Sequence, residues 1–219
     1  MDPGDYGALT ITKAITIDGG GVQGSITFTG STGVDINAGT SDTVVLRNLT
    51  INGISQGADA IYLYSGGTLV VDHCALMGFT GLGIGTSSVG AQNVLVRNTS
   101  IVGGPLGVRV FQGTGPTSVS LQDVSITGAT SEAIFTRSGV LNVSNSTLFG
   151  NAIALENDTS ASINAYSNMI SQNQTAVLVY TGSVTRLSNN QFYNNNVGLS
   201  LAGGSVVSFG NNTRAATRR

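Results

Sequence analysis

The sequence holds one cysteine, one histidine, three prolines and no tryptophan. With Cys74 alone, an internal disulfide is excluded and the redox compartment stays open. Charge is equally scarce: Asp, Glu, Lys and Arg make up 9% of the chain, against roughly 25% in ordinary soluble domains. Nine basic and eleven acidic residues leave a net charge of -2. There is no concentrated basic face for phosphate, so nucleic acid is excluded as the main partner. No run approaches about 18 consecutive apolar residues, so no membrane span is expected. No 3.6-residue apolar stripe marks an amphipathic helix. Three prolines beside 31 glycines imply turns made with glycine and asparagine.

What is present is a repeat. The stretch Val44-Val45-Leu46-Arg47-Asn48-Leu49-Thr50-Ile51 recurs as Leu69 to Leu76, Val94 to Ile101, Val119 to Ile126, Leu141 to Leu148, Ile163 to Ile170 and Thr185 to Phe192. Differences between their last residues (76−51, 101−76, 126−101, then 148−126, 170−148, 192−170) give 25 three times and 22 three times. A partial copy runs from Val207 to Asn211. A fixed period in this range marks a stacked repeat. Each copy holds two short alternating pairs, such as Val44/Leu46 and Leu49/Ile51, and a third follows after a loop. The third pairs are Ile61/Leu63, Leu82/Ile84, Val108/Val110, Ile134/Thr136, Ile153/Leu155, Val177/Val179 and Leu199/Leu201. Three half-buried strands per period predict a single all-β domain: a right-handed parallel β-helix, with about eight coils rising roughly 4.8 Å each. Residues 1–43 read as the first coil or coils, 44–213 as regular coils and 214–219 as a flexible basic tail. Leu9/Ile11, Ile15/Ile17, Ile26/Phe28 and Val34/Ile36 supply the first strands, with Gly19-Gly20-Gly21 as a turn.

One column recurs at the same spacing: Asn48, His73, Asn98, Asp123, Asn145, Ser167, Asn189 and Asn211. Asparagine tolerates the left-handed backbone of a tight bend. The column is expected to be a structural ladder whose amides point inward and bond from coil to coil. His73 reads as a ladder member, because a lone histidine without a paired carboxylate lacks a catalytic arrangement. Cys74 falls on an inward position and reads as a small hydrophobe.

This column, with "RNLTINGI" and "VRNTSIVGG", resembles the pectate-lyase-like right-handed β-helix proteins over nearly the whole chain. "DPGDYGALTITKAITIDGGG" looks like the opening of secreted bacterial β-helix repeat proteins, in which an export signal precedes this segment. The resemblance implies a fold, a secreted or cell-surface location, and a shortened chain with Met1 added for expression. It carries no activity with it.

The outward residues of the third strand form the face that reads as functional. Tyr62, Tyr64, Arg109, Phe111, Phe135, Arg137 and Tyr180 gather there in a chain with only 6% aromatic residues. Gly83 and Gly85 are expected to leave a shallow dent between the tyrosines and Arg109/Phe111, and Ala154 and Glu156 are read as outward. Aromatic platforms beside hydrogen-bonding charges suit a polysaccharide, and the resemblance implies that glycan binds along the equivalent sheet. A catalytic alternative, a polysaccharide lyase or glycoside hydrolase, would centre on Glu156, Asp158 and Arg137, since only those two acids sit close enough on one strand. Asp59 and Glu132, three coils apart, are roughly 14 Å from each other and too distant to act on one bond. The acids of the family's calcium site are not recognisable, and no metal and no cofactor is expected. The third class is a structural or assembly module. It would self-associate through the coil ends or through the stacked outward residues Val45, Val70 and Leu95.

Overall fold

The computed structural model describes residues 4–21, 24–111 and 114–214. Alternation makes each short strand half-buried, and the repeat lays like strands over one another. The result is three parallel sheets wound as a right-handed solenoid of about nine coils, one more than the repeat count suggested. Sheet 1 runs from Gly4–Asp5 to Thr213–Arg214 and has ten strands among the described residues. Sheet 2 runs from Leu9–Ile11 to Val197–Ala202 and sheet 3 from Ile15–Asp18 to Ser205–Ser208, with nine strands each among the described residues.

The register follows the repeat. Ile51, Leu76, Ile101, Ile126, Leu148, Ile170 and Phe192 are successive partners in sheet 1. The first coils join the same sheets: Ile17 pairs with Leu46, Ile26 with Ile51, and Val34 with Ile61. Inward side chains form one continuous apolar core along the axis. In the last coil the inward positions Leu199 and Leu201 are 50% and 58% exposed, because no described strand stacks above them. Of the basic tail, only Arg214 lies within the described residues, on the last strand of sheet 1.

Sheet 2 corrects the expected pairs. Ile84 partners Ile61 and Thr86 partners Leu63, so the fourth strand of sheet 2 presents Ile84/Thr86 inward, in place of Leu82/Ile84. Leu155 and Asn157 likewise partner Ile134 and Thr136, displacing Ile153/Leu155 by two residues. The cause is a bend at the start of each strand, where two consecutive residues turn inward. Ala133 and Ile134 are both buried, as are Ala154 and Leu155, and Ala176 and Val177. The first of each pair must be small. A Cβ on Gly83 would sit 2.5 Å from the Gly107 carbonyl oxygen. Gly83 and Ala154 therefore face the core, not solvent.

The polar column also needs correction. Asn48, His73, Asn98, Asp123, Asn145, Ser167 and Asn189 all have φ between 50° and 56°, as the bend requires. Their side chains, however, stand at the surface, exposed except for the half-buried Ser167, and Asn211 is exposed as well. A left-handed residue turns its Cβ outward, and the next residue returns inward. The buried ladder is therefore one position later: Ser146, Asn168, Asn190 and Asn212. The Asn168 amide nitrogens donate to Asn190 Oδ1, and those of Asn190 to Asn212 Oδ1, at 2.8–3.0 Å. A second ladder, absent from the sequence reading, stacks Asn151, Asn173 and Asn195 at the bend between sheets 1 and 2.

Candidate functional site

Two columns cover the outer face of sheet 2. In the first, Asp35, Tyr62, Gly85, Arg109, Phe135, Glu156, Leu178 and Ser200 are successive register partners. In the second, Phe111, Arg137 and Asp158 follow one another, and Tyr180 lies on the next rung. All seven residues expected on this face stand on it. Tyr64, Phe111 and Tyr180 are 36% exposed or more, and Tyr62, Arg109 and Phe135 are half-buried.

The expected dent is filled. Gly85 leaves room, and the Tyr62 ring occupies it: a Cβ at Gly85 would meet that ring at 2.8 Å. From there the Tyr62 hydroxyl accepts a 3.0 Å hydrogen bond from Arg109, whose guanidinium lies 5.9 Å from the ring centroid. Tyr64 leans on Tyr62 with ring centroids 4.4 Å apart. Tyr62 is thereby fixed as a flat platform across two rungs. Asp35 and Asp59 lie beside it. Burial raises the Asp59 pKa above the usual carboxylate range, although its Oδ1 accepts from the Leu82 amide at 2.7 Å.

Two rungs beyond Arg109 along the column is a second charged group. Glu156 is only 8% exposed. Burial first, then the charges of Glu132 and Asp158, push its pKa up to about 7. Burial and like charge both disfavour its ionised form. Tyr180 is pushed above its usual value, chiefly by the Glu156 charge. Arg137 reaches Asp158 on the neighbouring rung, Nε to Oδ2 3.6 Å. Sequence reasoning missed Glu132 here by pairing it with Asp59. The inward bend at Ala133 sets Glu132 on the outer face, on the rung next to that of Glu156. A carboxylate just before a buried small–large pair is the signal that could have found it.

His73 needs reconsidering too, since its Nδ1 lies 2.7 Å from Asp72 Oδ1 and the paired carboxylate does exist. Asp72 is shared: Arg97 and Asn98 donate to it at 3.0 and 3.1 Å, and these bonds lower its pKa despite the opposing effect of burial. The ring is 60% exposed and borders an open groove of about 1010 Å³ along sheet 1, whose floor is Ser25, Thr50, Ala75 and Ser100. Cys74 beneath it is no nucleophile, because burial pushes its thiol up to about 11. Val45, Val70 and Leu95 do stack on adjacent rungs of sheet 3, each half-buried. Among the described residues no three His, Cys, Asp or Glu side chains converge as metal ligands, and no helix is long and apolar enough to cross a membrane.

A family model described as the right handed beta helix region matches residues 32–214. Among solved structures, the A-module of the Azotobacter vinelandii mannuronan C-5 epimerase AlgE6 is similar at a TM-score of 0.43 and 11% identity, over 99% of this chain and 90% of that one. At that score the likeness carries no argument about function. No curated protein matches the chain.

Proposed function

The chain belongs to the right-handed β-helix family, and from that premise we propose that it binds a polysaccharide along the outer face of sheet 2. The observation that carries this reading is Tyr62, held over Gly85 by Arg109 and in line with Phe135 two rungs beyond Gly85. Sugar rings stack their CH faces on such platforms, and their hydroxyls take up the charges between them. The strand period suits an extended chain, since every rung offers the same pair of outward positions at roughly 4.8 Å intervals. The same reading puts the protein at or beyond the cell surface, where polysaccharide is met.

A second reading, glycan cleavage, draws on Glu156. A carboxyl with a pKa near 7 can donate a proton at neutral pH, and Asp158, two residues along the strand, would be the second carboxyl of the pair. A polysaccharide array scored for retention and for new reducing or unsaturated ends tests both. Retention without cleavage, weakened at least about tenfold (about 1.4 kcal/mol) in Tyr62→Ala, is the expected result. Cleavage that disappears in Glu156→Gln would establish the enzyme instead. Neither retention nor cleavage would leave a structural module, with the Val45–Val70–Leu95 strip and the exposed Leu199 and Leu201 as its contact surfaces.

A further inference from the structure

The charge balance of the same face says which glycan it takes, and this step rests on the binding reading above. Five acids stand on or beside the two outer columns of sheet 2: Asp35, Asp59, Glu132, Glu156 and Asp158. Among the described residues only Arg109 and Arg137 oppose them on this face, and both are engaged, Arg109 with Tyr62 and Arg137 with Asp158. The one lysine, Lys13, lies outside the strands of this sheet. A chain of uronate sugars would bring a carboxylate to each residue, against a face already in acid excess. Like charges brought together on a partly dehydrated surface cost affinity.

We infer that the glycan accepted here carries amino-sugar units, and that Glu132, Glu156 and Asp158 hold an ammonium group of one unit while polyuronates are turned away. The placement supports this. Glu156 lies between Phe135 and Leu178 on neighbouring rungs, so a sugar stacked on Phe135 has its substituents beside these acids. Glu156 and Glu132 repel each other when both are ionised. An ammonium relieves that repulsion as a shared proton does, and it adds charge-assisted hydrogen bonds.

Calorimetric titration with three oligomers of equal length tests the inference: β-1,4-glucosamine, β-1,4-glucose and α-1,4-galacturonate, each at low and high salt. The glucosamine oligomer is expected to bind about tenfold more tightly than the glucose oligomer, with the gap closing at high salt, and the galacturonate oligomer not to bind. In Glu132→Gln the glucosamine and glucose oligomers should bind alike. In Asp123→Asn, the same charge change on an exposed bend away from this face, the tenfold gap should persist. Unchanged denaturation midpoints confirm that both variants fold. Galacturonate binding as tight as glucose, or a gap that survives Glu132→Gln, overturns the inference and leaves glycan binding standing. Failure of all three oligomers to bind removes the binding reading itself, and this inference with it.

Discussion

The coils up to and including the one that carries Ile126 and Ala129, and those after it, share the same three sheets and fill their bends with different chemistry. At the bend between sheets 1 and 2, the inward position reads Phe79, Gly104 and Ala129 in the earlier coils, then Asn151, Asn173 and Asn195 in the later ones. The Phe79 ring takes the space that a Gly104 side chain would fill. At the bend between sheets 3 and 1, Cys74, Thr99 and Val124 give way to Ser146, Asn168 and Asn190. Outside, the pattern reverses. Asp18, Arg47, Asp72 and Arg97 alternate as register partners in the early coils, and the same column continues as uncharged Gln122, Ser144, Tyr166 and Ser188.

Segment lengths explain the division. From sheet 1 to sheet 2 the later coils are uniform: Leu148 to Leu155, Ile170 to Val177 and Phe192 to Leu199 are each 7 positions (155−148, 177−170, 199−192). The earlier ones vary: Ile51 to Ile61 is 10, Leu76 to Ile84 is 8, Ile101 to Val108 is 7 and Ile126 to Ile134 is 8 (61−51, 84−76, 108−101, 134−126). An amide ladder is directional and needs the same backbone geometry in every coil. A phenyl ring fills volume without that demand. Uniform coils can therefore stack buried asparagines from rung to rung, and irregular ones fill the same positions with a ring or with small side chains such as Cys74, Thr99 and Val124.

Breaking the ladder should cost most. Asn173 donates to Leu148 O and Asn195 Oδ1 and accepts from both amide nitrogens of Asn151, all within 3.0 Å. Asn173→Leu strands several buried polar groups at once. Urea denaturation is expected to register a loss of about 4 kcal/mol. Phe79→Ala should cost less, about 3 kcal/mol, because Gly104 and its neighbours can settle into the vacated space. Equal losses, or a larger one for Phe79, would erase the proposed distinction between directional and space-filling bends. Arg97→Ala should cost least. Its partner Asp72 keeps bonds from His73 and Asn98, and the arginine side chain is 46% exposed. A change of about 0.5 kcal/mol or less is expected, fading in high salt. A salt-independent loss above that of Phe79→Ala would make the external charges part of the core architecture.

The coil boundaries were legible because a stacked β-helix repeats its contacts at every turn, so Ile51, Leu76 and Ile101 announce themselves. The ladder was misplaced by a single residue. Composition marks the left-handed bend at Asn48 or Asn98, and nothing in composition says that the side chain there turns outward. The double inward bend of sheet 2 was hidden for a similar reason. Ala133-Ile134 and Ala154-Leu155 look like an ordinary break in alternation until the neighbouring coils are in place, and with them went Glu132, the acid that most changes the environment of Glu156.

By itself the sequence determined the winding: period, strand alternation and left-handed bends are local properties, written once per coil and confirmed by repetition. Which side chains meet across coils was decided only by the tertiary structure. Tyr62 reaching Arg109 over Gly85, Asp72 shared by His73 and Arg97, and Glu156 crowded by Glu132 each join residues 24 to 47 positions apart, apart from the adjacent Asp72 and His73. Those encounters depend on rotamer, burial and a register shift of two, and these are settled only when neighbouring coils pack.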